Sequence, residues 1–405
     1  MSQLNNEPTN GLEPRTAWGA VIVLYLAGCT TGLHIGKVPV AIPLIREQWQ
    51  LSLTQTGFII SLYSILIATS GLLLGVLIRR LGYVPFAIVG VGTVGVGALL
   101  GSFADGLPLL LIGRSIEGLG WIISVIVLPS LISALSASKD RSFVMAFWAS
   151  FLPVGAGSML LLAPQLQSMG GWQLSWWVAS AISLLAACSV AVVTRSHRAY
   201  LIQLNRNTLK GSYADLAKPV VWLLSGCFFV YSFGYIPLVS YLPLLLVETS
   251  SLTLEVVSTI VALVMICNAL GSILVGVLSR KGVGYIRLLI IGLMGGGLCA
   301  LLVFAPWPNT SMRITAAVAF SIVGGIVPGV LFSIMPKAAS HPSSVGILVG
   351  FMMQLSGTGM LVGGIVVPGV VDLFNVWFAA GITLFLMAVF GAALAYFSGK
   401  QVLSV

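Results

Sequence analysis

Charge is the scarcest property of this sequence. Only 7% of its 405 residues are Asp, Glu, Lys or Arg, while 58% are hydrophobic, and mean hydropathy is +1.07. A water-soluble fold needs polar residues to coat its exterior, and here they are missing. Weakly alternating segments of roughly ten residues, the mark of an outer-membrane barrel, are missing too. The apolar runs are long and unbroken instead. The fold class is therefore an all-α membrane protein. Its 46 glycines and 18 prolines fit that class, because membrane helices tolerate both.

Other absences narrow the function. The five cysteines (Cys29, Cys188, Cys227, Cys267, Cys299) all fall inside apolar runs. They have neither metal-ligand spacing nor an external loop in which to pair, so they read as small core residues. There is no HExxH, and the three histidines (His34, His197, His341) are scattered. An intramembrane enzyme is thus a remote alternative, with no catalytic residue, cofactor or metal expected. A receptor or scaffold finds no sizeable soluble segment. No nucleotide-binding loop occurs, so any energy must come from an ion or substrate gradient. The first sixteen residues are polar, carry Glu7 and Glu13, and lack the basic and short apolar regions of a cleaved signal. Helix 1 is expected to serve as the uncleaved insertion signal.

A membrane span needs about 20 apolar residues. Runs of that kind lie near 17–43, 55–78, 84–103, 107–135, 143–166, 173–194, 219–247, 253–279, 285–306, 312–335, 343–368 and 372–398. They predict twelve crossings divided as a tail (1–16), a six-helix bundle (17–194), a linker (195–218), a second bundle (219–398) and a short tail (399–405). With the N-terminus inside, inner segments hold Arg15, Arg79, Arg80, Lys139, Arg141, Arg195, Arg198, Arg206, Lys210, Lys218, Arg280, Lys281, Arg287, Lys337 and Lys400. The outer loops hold only Arg46 and Arg313. That bias predicts both termini on the cytoplasmic side of the cytoplasmic (inner) membrane. It also explains the formal +9 without nucleic acid, as attraction to the anionic inner leaflet. The basic linker reads as a solvated hinge.

The chain also repeats itself. GVLIRRLGYV begins at Gly75 and GVLSRKGVGY at Gly276, each after an apolar run and each ending in paired cations. Pro129 is echoed by Pro336, and Pro43-Leu44 by Pro243-Leu244. A duplication of membrane-spanning halves marks a secondary transporter with its site at the seam.

Twelve helices in two halves, with a basic glycine-bearing turn after helices 2 and 8, resemble the major facilitator superfamily. The family pattern Gly-x-Leu-x-Asp-Arg-x-Gly is matched by Gly75, Leu77, Arg80 and Gly82. Arg79, and Arg280 in the second copy, stand where the family has its Asp, so the inner latch that this Asp helps form is altered here. Arg79, Arg80, Arg280 and Lys281 are the expected gating residues. A helix 4 pattern, Arg-x-x-Gln-Gly-x-Gly, is matched by Arg114, Gly118 and Gly120 with Glu117 in place of Gln. Pro153, Gly155 and Gly157 loosely resemble the helix 5 antiporter signature. The segment GKVPVAIPLI in helix 1 and the chain length are similar to the cyanate and 2-nitroimidazole permease branch. The resemblance implies a twelve-helix transporter of two pseudo-symmetric six-helix bundles, working by alternating access.

Four ionisable side chains fall deep in the spans: His34 and Lys37 in helix 1, Arg114 and Glu117 in helix 4. Each pair is spaced i, i+3 and shares a helix face. At about 1.5 Å per residue, Lys37 and Arg114 both lie about 10 Å below the outer edge, and His34 and Glu117 about 14 Å. A charge in lipid costs at least ~2.5–3.5 kcal/mol, so such groups face protein or water and are functional by default. In the family's architecture helices 1 and 4 line the central cavity, which would gather the four into one mainly cationic cluster. A structural Arg114–Glu117 ion pair is the plainer alternative. Lys37 would then take either Glu117 or a bound anion as its counter-charge.

The second half offers Asn268, Gln354, Tyr231, Tyr235 and Tyr241. Taken singly, each aromatic, including Trp121 and Trp148, reads first as packing. Glycine steps such as Gly71-x-x-x-Gly75 read as close helix packing. The expectation is a monomeric, proton-coupled carrier of a small, carboxylate-type anion. Lys37, Arg114, His34, Tyr231, Tyr235, Asn268 and Gln354 would bind the substrate, and Glu117 or His34 would carry the proton. The alternative is an exporter of drugs or metabolites, siderophore-like compounds included.

Overall fold

A computed structural model describes residues 15–198, 201, 213–340 and 344–402. His341 and most of the linker expected at 195–218 lie outside the described residues. Helices fill the rest. In the first half they are α1 (Trp18–Trp49), α2 (Leu53–Leu81), α3 (Tyr83–Ser102), α4 (Leu107–Ala134), α5 (Ser138–Trp148) and α6 (Phe151–Ser196). After a 3₁₀ turn, Tyr213–Ala217, come α7 (Pro219–Thr249), α8 (Leu254–Arg280), α9 (Tyr285–Phe304), α10 (Thr310–Ala338), α11 (Val345–Phe374) and α12 (Phe378–Val402).

Local chemistry sets the helix ends. Ser52 and Gln55 form a reciprocal capping box that starts α2,. Asn309 accepts from the Met312 amide at the start of α10, and Pro219 opens α7, where a missing N–H costs nothing,. The turn between α2 and α3 is a single residue, Gly82, at φ 104°. A side chain there would be strained.

Eleven helical stretches among the described residues are long and apolar enough to cross a membrane. One of them, Ser138–Ser196, runs to 59 residues, far beyond one bilayer. It folds back at Gly170 and Gly171, whose backbones leave the helical region, Gly171 at φ 67°. The proof is in the packing. Gly155 abuts Gly32 of α1, while Ser183 bonds to His34 two residues further along. A straight helix would hold positions 155 and 183 about 42 Å apart. The described residues therefore supply twelve membrane-spanning stretches, and the break falls between the expected runs 143–166 and 173–194.

Packing repeats along with the sequence. In the first half α1 packs on the first limb of α6, α3 on α4 and on the second limb of α6, and α2 on α4. In the second half α7 packs on α11, α9 on α10 and α12, and α8 on α10. The first described helix, α1, begins and the last, α12, ends at one face of the bundle, where Ala17 N–H donates to the Leu135 carbonyl and Gly399 abuts Ile286. This face is the terminal face below.

Among the described residues, two crossings make the main seams between the halves. α2 meets α11 from Ser64 and Met360 to Gly75 and Gly346. α5 and the first limb of α6 meet α8 from Gly157 and Ile266 to Asp140 and Arg280. Both crossings run down to the terminal face. At the first, backbones touch: a methyl group on Gly71 would stand 2.5 Å from the Gly350 carbonyl oxygen.

Arg46 and Arg313 depart from the expectation that they occupy outer loops. Arg46 sits in the last turn of α1 and donates to the Leu51 carbonyl at 3.4 Å. Arg313 is 5% exposed inside α10 and donates to the Val303 and Ala305 carbonyls at 2.9 and 3.1 Å. Arg313 thus satisfies carbonyls that the end of α9 leaves open, and Arg46 one in the loop that follows its own helix,.

Candidate functional site

Glu117 is the centre of the buried charge cluster. Its Oε1 accepts from Lys37 Nζ at 2.7 Å. Its Oε2 accepts from Arg114 Nη1 and, at 3.2 Å, from the Tyr63 hydroxyl of α2. Lys37 Nζ also donates to His34 Nδ1 at 3.1 Å, and Arg114 Nη1 donates to the His34 carbonyl oxygen at 3.1 Å. An imidazole nitrogen facing an ammonium must accept, so His34 carries its proton on Nε2 and donates to Ser183 Oγ at 2.8 Å,. Rings close the two cationic ends. Trp176 lies 4.3 Å under Lys37 Nζ, and Tyr63 lies 4.1 Å from the Arg114 guanidinium,.

The cluster is sealed. His34, Lys37 and Glu117 are 0% exposed and Arg114 is 2% exposed. It holds two cations against one carboxylate. Arg114 Nε is buried without a hydrogen-bond partner among the described residues. An anionic acceptor beside that nitrogen would both satisfy it and complete the charge balance of the group.

The four side chains that the resemblance was expected to gather do stand together, and the counter-charge of Lys37 is Glu117. Three partners had no sequence signal. Tyr63, Ser183 and Trp176 sit in apolar runs of α2 and α6, and only the rotation of those helices turns them inward. All the polar partners described for the cluster belong to α1, α2, α4 and α6 of the first half.

The second-half residues gather elsewhere. Asn268, 2% exposed, donates to the Tyr231 hydroxyl at 3.1 Å and to the Ser321 carbonyl at 3.0 Å. Tyr231 stacks on Tyr235 at 5.3 Å, and Tyr235 on Phe320 at 6.1 Å. Gln354 stands at the α2–α11 seam, where its Oε1 accepts from the Leu72 amide at 2.9 Å. Tyr241 is not with Tyr231 and Tyr235. It packs on Trp377 near the face opposite the termini, in a cavity of about 300 Å³ that Glu248 and Asp372 also line. The two polar groups share no hydrogen bond or ion pair among the described residues.

At the terminal face Arg280 Nη2 lies 3.3 Å from Asp140 Oδ1, and its guanidinium 4.1 Å from the Phe143 ring. Asp140 also accepts from Thr16 at 2.7 Å, and Ser333 donates across the halves to the Ser142 carbonyl at 3.0 Å. Arg79 is buried at the end of α2, and Arg80 and Lys281 are exposed.

The sequence profile of the Major Facilitator Superfamily matches residues 24–358. A hexuronate transporter of Bacillus subtilis is 24% identical over 370 residues, 87% of each chain. A probable sulfoacetate transporter of Cupriavidus necator is 24% identical over 75% of this chain and 74% of its own. The multidrug efflux pump LfrA of Mycolicibacterium smegmatis is 27% identical, over 38% of this chain and 31% of its own. Among solved structures, the proton:xylose symporter XylE superposes with a TM-score of 0.77 at 14% identity, over 94% of this chain and 95% of its own.

Proposed function

Because the chain belongs to the major facilitator superfamily, a superfamily of multi-pass membrane transporters, we propose that it carries a small, carboxylate-type anion by alternating access, coupled to protons through Glu117 or His34. The observation that carries this reading is the buried charge imbalance: Lys37 and Arg114 share one carboxylate. Protonating Glu117 would free both cations for a substrate anion. Deprotonating it would restore the pairs and compete with that anion. The two long relatives favour the same chemistry, since hexuronates and sulfoacetate are organic acids.

On this reading Asn268, Tyr231, Tyr235 and Gln354 supply hydrogen bonds from the second half once the halves reorganise. The cation bias supports a cytoplasmic terminal face, with Arg280 and Asp140 closing the inner gate beside Arg79, Arg80 and Lys281. The protein acts as a monomer in the cytoplasmic membrane. Labelling single cysteines at Asp105 and Lys139 from opposite sides of the membrane checks that orientation.

Reconstituted protein should gain thermal stability with carboxylates and sulfonates but not with their neutral analogues. Its transport should follow an imposed pH gradient, and Glu117→Gln should bind but lose that dependence. Unchanged pH dependence in Glu117→Gln would remove the proton role. The second reading, an exporter of drugs or metabolites, draws on the Tyr231–Tyr235–Phe320 stack and the partial LfrA match. Neutral amphipathic compounds competing better than carboxylates would select it.

A further inference from the structure

Tyr63 stands outside the charged pairs and outside the helices that supply them. Its hydroxyl donates to Glu117 Oε2 at 3.2 Å. Its ring lies under the Arg114 guanidinium and 6.2 Å from Trp121, and the residue is 4% exposed. The next residue, Ser64, faces the other half of the protein and donates to Met360 Sδ of α11 at 3.8 Å. Further along α2, Leu72 N–H donates to Gln354 of α11, and Gly71 meets Gly350 backbone to backbone. One rigid helix thus holds the carboxylate on one face and the opposite half on another.

Every element around Glu117 contributes to its surroundings. α1 presents Lys37 and His34, α2 presents Tyr63, and α4 presents Arg114. From α6, Ser183 holds His34 and Trp176 covers Lys37. Gly97 of α3 backs the Glu117 stem, where a methyl group would stand 2.9 Å from Cγ.

We propose that Tyr63 is a positioning residue that ties the charge state of Glu117 to the α2–α11 seam; this rests on the proton-coupled reading above. A hydrogen bond to an ionised acceptor is roughly twice as strong as a neutral one. The ionised carboxylate therefore clamps α2 to α4 through the phenol, with Arg114 stacked on the same ring. The protonated carboxyl holds the phenol less tightly, and α2 can then shift with respect to α4 and carry its glycine seam with it. The event is the gain or loss of one proton at Glu117.

Tyr63→Phe tests this, because it keeps the ring under Arg114 and against Trp121 and removes only the O–H. Hydrogen bonding to a carboxylate favours its ionised form. Transport by Tyr63→Phe should therefore reach half-maximum at a pH higher by on the order of one unit, with substrate binding by thermal shift within about twofold at a pH low enough to protonate Glu117 in both proteins. A merely structural role would lower the rate without moving the profile. In a Glu117→Gln background, Tyr63→Phe should add no further loss, and additive losses would overturn the proposal. A pH-dependent parent with an unmoved Tyr63→Phe profile also overturns it. A parent whose transport ignores pH removes the proton-coupled reading itself, and this inference with it.

Discussion

Lys37 Nζ stands 2.7 Å from Glu117 Oε1 across the boundary between α1 and α4, and neither side chain reaches solvent. Opposite charges about 4 Å apart attract by about 4 kcal/mol at an effective dielectric near 20, and this pair is closer. Removing one member of a buried pair strands the other, at a cost of about 3–5 kcal/mol. The two members are not equivalent here. Glu117→Gln leaves two cations without a counter-charge, whereas Lys37→Met leaves Glu117 with Arg114. Thermal unfolding in detergent should show the larger loss for Glu117→Gln. Equal losses would mean that Arg114 cannot neutralise the carboxylate alone.

Depth was legible in the sequence and azimuth was not. Lipid forces each crossing into a helix, so residue count gives height in the membrane, and two antiparallel helices bring Lys37 and Arg114 level. Which side of a helix faces which neighbour depends on packing. Tyr63 and Ser183 joined the cluster unannounced for that reason, and Gln354 faces α2 instead of Asn268. The break at Gly170 and Gly171 was readable as a gap between apolar runs. The carbonyl contacts of Arg46 and Arg313 were not, because a cation near a helix end looks the same in sequence whether it meets water or a carbonyl.

Glycine contact at the α2–α11 seam leaves no space for a side chain. On Gly71 a methyl would fall 2.5 Å from the Gly350 oxygen, and on Gly75 one would fall 2.9 Å from the Gly346 oxygen. Overpacking of this kind costs about 1–3 kcal/mol, against whichever state closes the seam. Gly71→Leu should cut transport tenfold or more and increase cysteine labelling from the terminal face, with Gly71→Ala intermediate. Parental transport by Gly71→Leu would show that the seam does not need to close.

Asp215 gives the terminal face a pH dependence of its own. Its carboxylate accepts from the Ser340 amide at 3.0 Å, the Ser340 hydroxyl at 2.6 Å and the Lys218 ammonium at 2.7 Å. Burial acts to raise this carboxyl, but the Lys218 and Ser340 donors outweigh it and hold it below the ordinary Asp range. A depressed carboxyl contributes stability that is complete above the ordinary Asp value. That stability is lost as pH falls through the folded value. Hydrogen exchange at the Ser340 amide should therefore lose protection in acid, and Asp215→Asn should abolish the pH dependence. Equal acid sensitivity in Asp215→Asn would assign the effect elsewhere.

The pair between Arg280 and Asp140 links the halves at the terminal face, and it is partly wet, with side-chain exposures of 51% and 17%. Ion pairs so placed contribute roughly 0.2–1 kcal/mol. That is little for folding, but a gate balanced between open and closed shifts about fivefold for 1 kcal/mol. Ser333, 2% exposed, bonds across the halves to Ser142 beside this pair, so if the pair is a gate Ser333→Cys reports its opening through the rate of maleimide labelling. Asp140→Asn and Arg280→Gln should each raise that rate two- to fivefold with little change in melting temperature. The exchanged pair, Asp140→Arg with Arg280→Asp, should bring the rate back toward the parent. Failure of the exchange would locate the effect in the Phe143 stack or in the Thr16 bond to Asp140, which the exchange removes. If neither single variant changes the rate, the gate is held by the α2–α11 seam and the Ser142–Ser333 contact, and Arg280 only neutralises Asp140 at the surface.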